Sequence, residues 1–206
     1  MPHVVVTGGP GAGKTTLLAE LSASGYAIVE DSARAFIAER LDRGESARPD
    51  ALGFAREIFR RDLEKYLNQP RSARWVFFDR GLIDALGLLH EAFALSSSEL
   101  TTILASYPFH PTVFVLPPWE AIYANDAARD QSFAEAVHVH VKVVEWYRAC
   151  GYAIKEATSS CSTTSRLCPR HSWSERLGNP WKETGQLLEV TNEADRECPI
   201  RHQELG

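Results

Sequence analysis

Short apolar runs alternate along this chain with longer stretches in which apolar residues recur every three or four positions. Residues 4–7 (Val-Val-Val-Thr) predict a first strand, and the stretch from Gly13 toward Ser22 predicts a helix. Ser24-Gly25 is a stop signal, and 26–29 predict a second strand. Asp31 has the character of a helix N-cap, with Ala33, Ile37 and Leu41 following at spacing four on one face. A longer helix is predicted over 51–67, with a stripe of Leu52, Ala55, Phe59, Leu63 and Leu67, stopped by Asn68-Gln69-Pro70. Residues 75–79 (Trp-Val-Phe-Phe-Asp) read as a buried strand ending in a carboxylate. Helices over 82–93 and from Ser97 or Ser98 to before Pro108 lead to a strand at 112–116, closed by Pro117-Pro118. The polar segment 125–131 predicts a loop. A helix over 132–150 carries Phe133, Val137, Val141, Val144 and Tyr147 on one face, and 152–154 predict a last strand. Strands alternating with helices imply an α/β fold, a parallel sheet covered on both faces.

The pattern stops at about Glu156. Residues 157–206 are rich in Ser, Thr, Arg and Glu, with isolated Trp173 and Trp181 and a single compact apolar run at 187–190. No helical or alternating period is sustained there. The expected organisation is one domain over 1–155 and a loosely ordered tail over 156–206; a shifted reading frame would give the same texture. The tail also holds Cys161, Cys168, His171, Cys198 and His202, ligand types for zinc, but their spacing matches no standard finger.

Composition narrows the classes. At 206 residues and 44% hydrophobic, the chain can bury one sizeable core. A net charge of −5 argues against a general nucleic-acid binder, which would show a basic stripe. No apolar run approaches the roughly 18 residues of a membrane span. With a strand beginning within a few residues of Met1, no secretory signal is read, and a cytoplasmic location is the expectation. Four cysteines in such a chain are expected as thiols.

The chemistry lies between the first strand and the first helix. Gly8, Gly13, Lys14 and Thr15 satisfy the phosphate-loop pattern G-x-x-x-x-G-K-[ST], with Gly9, Pro10, Gly11 and Ala12 between and Thr16 after. Glycines let backbone N–H groups curl around anionic oxygens, and the helix aims its positive end at the same place. Lys14 would reach the β- and γ-phosphates of ATP, and the Thr15 hydroxyl would ligate Mg²⁺. Asp79 has the form of a Walker B carboxylate holding the same metal; a surface Asp ending a strand would look alike. An Asn-Lys-x-Asp motif for guanine selection is absent from the sequence, as is an ABC-type signature.

Further residues carry a resemblance. Glu30 ends the second strand, Arg34 lies four residues on, Asp79-Arg80-Gly81 follows the third strand with Asp84 a turn later, and Asn125-Asp126-Ala127-Ala128-Arg129 precedes the last helix. Over residues 3–155 the chain resembles the P-loop ATPase/kinase-like family that includes the nicotinamide-riboside kinase domain of NadR-type bacterial regulators, an AAA-28-type domain. The resemblance implies a three-layer P-loop NTPase sandwich with sheet order 2-3-1-4-5. It implies ATP and Mg²⁺ as cofactors and γ-phosphoryl transfer to a small nucleoside- or nucleotide-like acceptor. It assigns Lys14, Glu30, Asp79 and Arg129 to catalysis, and Glu30, Arg34 and Arg80 to the acceptor. For Glu30, a solvated strand-end carboxylate remains an equal reading; for Arg34, Arg80 and Arg129, so do plain surface or ion-pair roles. Asp31 is read as a cap. The basic residues Arg56, Arg60, Arg61 and Lys65 are read with Glu57, Asp62 and Glu64 as a solvated helix face. A regulatory ATPase acting on a protein partner, or a nucleotide-binding module of little turnover, would share the phosphate loop.

Overall fold

The computed structural model describes residues 3–9, 11–47, 49–69, 75–120 and 132–157. They form β1 (His3–Gly8), α1 (Lys14–Ala23), β2 (Ala27–Val29), α2 (Ser32–Asp42), α3 (Ala51–Leu67), β3 (Val76–Asp79), α4 (Leu82–Glu91), α5 (Ser97–Ser106), β4 (Thr112–Leu116), α6 (Phe133–Ala149) and β5 (Ala153–Glu156). The sheet has order β2-β3-β1-β4-β5, every pairing parallel, as the resemblance implied. Every strand therefore ends on one edge, and β1, flanked by β3 and β4, carries its chain end to the middle of that edge.

The β1 run is apolar on both faces because both faces are covered. Val4 and Val6 pack with Phe77, Phe114 and Leu116 against Leu17, Leu18 and Leu21 of α1. Val5, between them, faces the other way with Phe78, Val113 and Val115, onto Leu82 and Ile83 of α4 and Val144 and Tyr147 of α6. Side-chain caps start most helices: Asp31 accepts from the Ala33 N–H at 2.8 Å, Asp50 from Gly53, and Ser96 and Ser132 form capping boxes with Glu99 and Glu135. The cap of α5 is thus Ser96, just ahead of the Ser97 or Ser98 expected.

Three helix faces differ from the expected stripes. On α2 the buried residues are Ser32 and Phe36, while Leu41 is 54% exposed. On α3 the most buried residues are Ala55, Ile58 and Asp62, with Phe59 and Leu63 at the flank and Leu67 exposed. On α6 the inward positions are Ala136, Val144 and Tyr147, and Val137 and Val141 face solvent. In each case a polar residue holds a core-facing slot: Ser32, Asp62 and the largely buried His140. Counting apolar residues alone rotates the stripe away from such slots. Among the described residues no helix is long and apolar enough to cross a membrane.

Candidate active site

At the carboxyl end of β1 the chain turns into α1 through the phosphate loop. A Cβ on Gly8 would lie 2.4 Å from the Leu116 carbonyl oxygen, so only glycine lets the loop leave the sheet here. Gly13, with φ at 82°, occupies the cap position of α1 in a left-handed conformation. Among the described helices, α1 alone has neither a side-chain cap nor an acidic residue in its first turn. Its first N–H groups and the positive end of its dipole are left for an anion.

Lys14 is buried at that end, its Nζ donating to the Gly8 and Gly9 carbonyls at 3.1 and 3.0 Å. Burial, with the like charge of Arg80, brings its amine down to about 7, against the pull of Asp79, Asp31 and Asp84. Thr15 and Thr16 are exposed in the first turn of α1. Asp79 ends β3, its carboxyl raised by burial and drawn back by Lys14, and its Oδ1 is buried without a hydrogen-bond partner. An orphaned carboxylate oxygen beside a phosphate loop suits a hard divalent cation.

Arg80 turns away from β3 with φ at 64°, a left-handed conformation costing a non-glycine residue about 1 kcal/mol. Its own N–H holds the Val6 carbonyl at 2.9 Å, and its guanidinium donates to the Gly8 carbonyl at 3.1 Å. The same group faces Asp31 at 3.6 Å and Asp84 at 3.7 Å. Burial works against the Arg80 charge, but Asp84, Asp31 and Asp79 outweigh it and keep it protonated. Asp84 accepts from the Thr7 hydroxyl at 2.8 Å and the Tyr147 hydroxyl at 2.5 Å. It ties β1, α4 and α6 together behind Arg80.

The structure brings together Gly8, Gly9, Gly11, Ala12, Gly13, Lys14, Thr15, Thr16, Asp79 and Arg80 at one edge of the sheet. Arg34 is exposed on the first turn of α2, close enough to act on Asp79. Glu30 is exposed at the end of β2, and its carbonyl accepts from Lys65 at 2.7 Å. Pro10, Arg129 and the tail cysteines lie outside the described residues. Sequence reasoning gave no role to Thr7 or Ser32, named Asp84 and Tyr147 without their hydrogen bond, saw in Asp31 only the cap that it also is, and placed Asp62 on a solvated helix face, whereas it is buried at 7% exposure. The signal for Asp62 was available: it falls four residues after Ile58, on the stripe of α3.

The sheet order and the loop define a P-loop fold with kinase-like topology. The chain matches the AAA_28 family, an AAA domain, over residues 3–164, and belongs to it. A thymidylate kinase from Ehrlichia chaffeensis superposes with a TM-score of 0.50 at 14% identity, over 86% of this chain and 96% of that one. A deoxyadenosine kinase from M. mycoides with bound dATP gives 0.48 at 14% identity, over 79% and 93%. Among curated proteins, none matches this chain.

Proposed function

We propose that this protein is an ATP- and Mg²⁺-dependent phosphotransferase acting on a hydroxyl of a small nucleoside- or nucleotide-like acceptor. The observation that carries the reading is the uncapped start of α1 with buried Lys14, set opposite the orphaned Asp79 oxygen and beside the Arg80 guanidinium. The loop N–H groups and Lys14 bind the phosphates of ATP. Thr15 and Asp79 would hold Mg²⁺, which supplies neutralisation of phosphate charge when bound.

In the reaction the acceptor oxygen forms a bond to the γ-phosphorus, the bridging P–O bond to ADP breaks, and the hydroxyl proton leaves to a carboxylate. Glu30 at the rim and Asp31 behind it are the carboxylates that the end of β2 offers for that proton. Arg34 and Arg80 orient acceptor and transferring group, and by resemblance Arg129 neutralises charge developing on the γ-phosphoryl oxygens. The location is inferred to be cytoplasmic.

The test is ADP production from ATP and Mg²⁺ with a panel of nucleosides, their 5′-monophosphates and nicotinamide riboside. Acceleration by one compound, with its phosphorylated product seen by mass spectrometry, is expected. Lys14→Ala should abolish it by weakening nucleotide binding. A flat panel with slow basal hydrolysis would replace this reading with a regulatory ATPase acting on a protein partner.

A further inference from the structure

Asp84 lies in the first turn of α4, behind the strand ends that carry the phosphate loop. Its Oδ1 accepts from the Thr7 hydroxyl at the end of β1, and its Oδ2 from the Tyr147 hydroxyl of α6. Thr7 and Tyr147 are themselves fully buried, so both bonds are held in place by the core. Two carboxyl oxygens that both accept from hydroxyls have the pattern of an ionised carboxylate. Burial raises the Asp84 carboxyl, and Arg80, then the Tyr147 and Thr7 hydroxyls, draw it back.

Arg80, in front of it, is held in another way. Its backbone stays left-handed at a φ of 64°, pinned by its N–H to the Val6 carbonyl. The Asp31 and Asp84 carboxylates stand 3.6 and 3.7 Å from its guanidinium, outside hydrogen-bond length. They hold its charge without taking up its N–H donors. The guanidinium donates instead to the carbonyl of Gly8, the first glycine of the phosphate loop. A strained backbone and a buried charge at one spot are costly for stability alone, and such strain gathers where a side chain must be aimed. We infer that Asp84 is a positioning residue for phosphoryl transfer: fixed by Thr7 and Tyr147, it holds the Arg80 guanidinium against the phosphate loop with N–H groups left for the transferring phosphoryl group. The inference rests on the phosphotransferase reading above and names the residue that sets Arg80 for it.

Charge and geometry together give the reason. Negative charge developing on the phosphoryl oxygens is stabilised best by a cation already in place, and arginine stays protonated where Lys14 is brought down to about 7. A buried guanidinium needs a counter-charge, but a carboxylate hydrogen-bonded to it would compete with the phosphoryl oxygens. Asp84 supplies the charge from behind while its own oxygens are taken up by two hydroxyls. Asp31 adds to the same charge, but its Oδ1 is committed to the Ala33 N–H as the cap of α2. Asp84→Asn keeps the size of the side chain and one carbonyl acceptor and removes the charge that Arg80 faces.

The experiment compares, by calorimetry, binding of ADP and Mg²⁺ with binding of ADP, Mg²⁺ and aluminium fluoride, a mimic of the transferring phosphoryl group. The kcat and KM for ATP are measured on the same proteins: wild type, Asp84→Asn, Tyr147→Phe, Arg80→Ala and the double variant of Asp84→Asn with Arg80→Ala. Asp84→Asn is expected to keep its ADP affinity and KM while losing about tenfold in kcat and in the affinity gained from aluminium fluoride. Tyr147→Phe should lose less in the same two readouts. On the Arg80→Ala background, Asp84→Asn should have no further effect. Loss of ADP affinity in step with the fluoride complex would make Asp84 a brace of the fold and overturn the inference. So would a full additional loss on the Arg80→Ala background, or a wild type that gains nothing from aluminium fluoride. If Asp84→Asn does not fold, an unchanged kcat in Tyr147→Phe would overturn it. An Asp84-dependent gain in a protein that phosphorylates no compound of the acceptor panel would keep the positioning role, with water as acceptor, and remove the phosphotransferase reading. Absence of ADP binding by the wild type would overturn both.

Discussion

At the scale of single residues, the site is built from charges held away from their ordinary equilibria. Lys14 is brought down to about 7 by burial and by Arg80, its hydrogen bonds going to the Gly8 and Gly9 carbonyls. Phosphate oxygens would favour its charged form and raise that value again. Above pH 7 the free protein carries a neutral amine and the nucleotide-bound protein an ammonium, so binding consumes a proton and weakens as pH rises. Titration with ATP analogue at pH 8, in buffers of different ionisation enthalpy, should show uptake of nearly one proton per nucleotide. At pH 6 the uptake should be close to zero. Uptake that survives in Lys14→Met would assign the proton to another group. Asp62 gives a second pH effect of opposite origin. The folded state holds its proton up to about 7, whereas the unfolded chain releases it near 3.8. Between those values the unfolded state binds fewer protons, so stability falls as pH rises and stays lowered above 7. Asp62→Asn should therefore gain over the wild type by about 2 kcal/mol between pH 5 and pH 8, read from urea midpoints.

At the scale of elements, the strands and the phosphate loop were legible because their signals are local; the loop expected over 125–131 lies outside the described residues. The β1 run, the glycine pattern after it and the carboxylate ending β3 each name a piece of the site without reference to any other piece. Helix faces were less legible. The stripes of α2, α3 and α6 were read by collecting apolar residues, yet the polar Ser32, Asp62 and His140 hold inward positions on those helices. Asp84 and Tyr147 show the same limit: 63 residues separate them, and nothing in the order of residues announces their hydrogen bond. The observed face of α6 makes its own prediction. Replacing Val137 and Val141 together by Gln should change the free energy of unfolding by no more than about 0.5 kcal/mol for each site. Val144→Ala, in the core with Tyr147, should cost about 2 kcal/mol. The reverse ranking in chemical denaturation would restore the face expected from the sequence.

At the scale of the whole molecule, the sheet order gathers distant segments at one edge. The ends of β1, β2 and β3 supply Thr7 and Gly8, Asp31, and Asp79 and Arg80, and α4 and α6 brace them through Asp84 and Tyr147. The same order has a consequence during synthesis. β1 leaves the ribosome first among the described strands, yet its neighbours are β3 and β4, completed at Asp79 and Leu116. At a translation rate of roughly 5 to 20 residues per second, Val4, Val5 and Val6 wait on the order of 5 to 20 seconds before both edges of their strand can pair. For that interval the nascent chain displays an unpaired apolar ribbon, which suits capture by a holding chaperone and exposes the chain to aggregation on crowded polysomes.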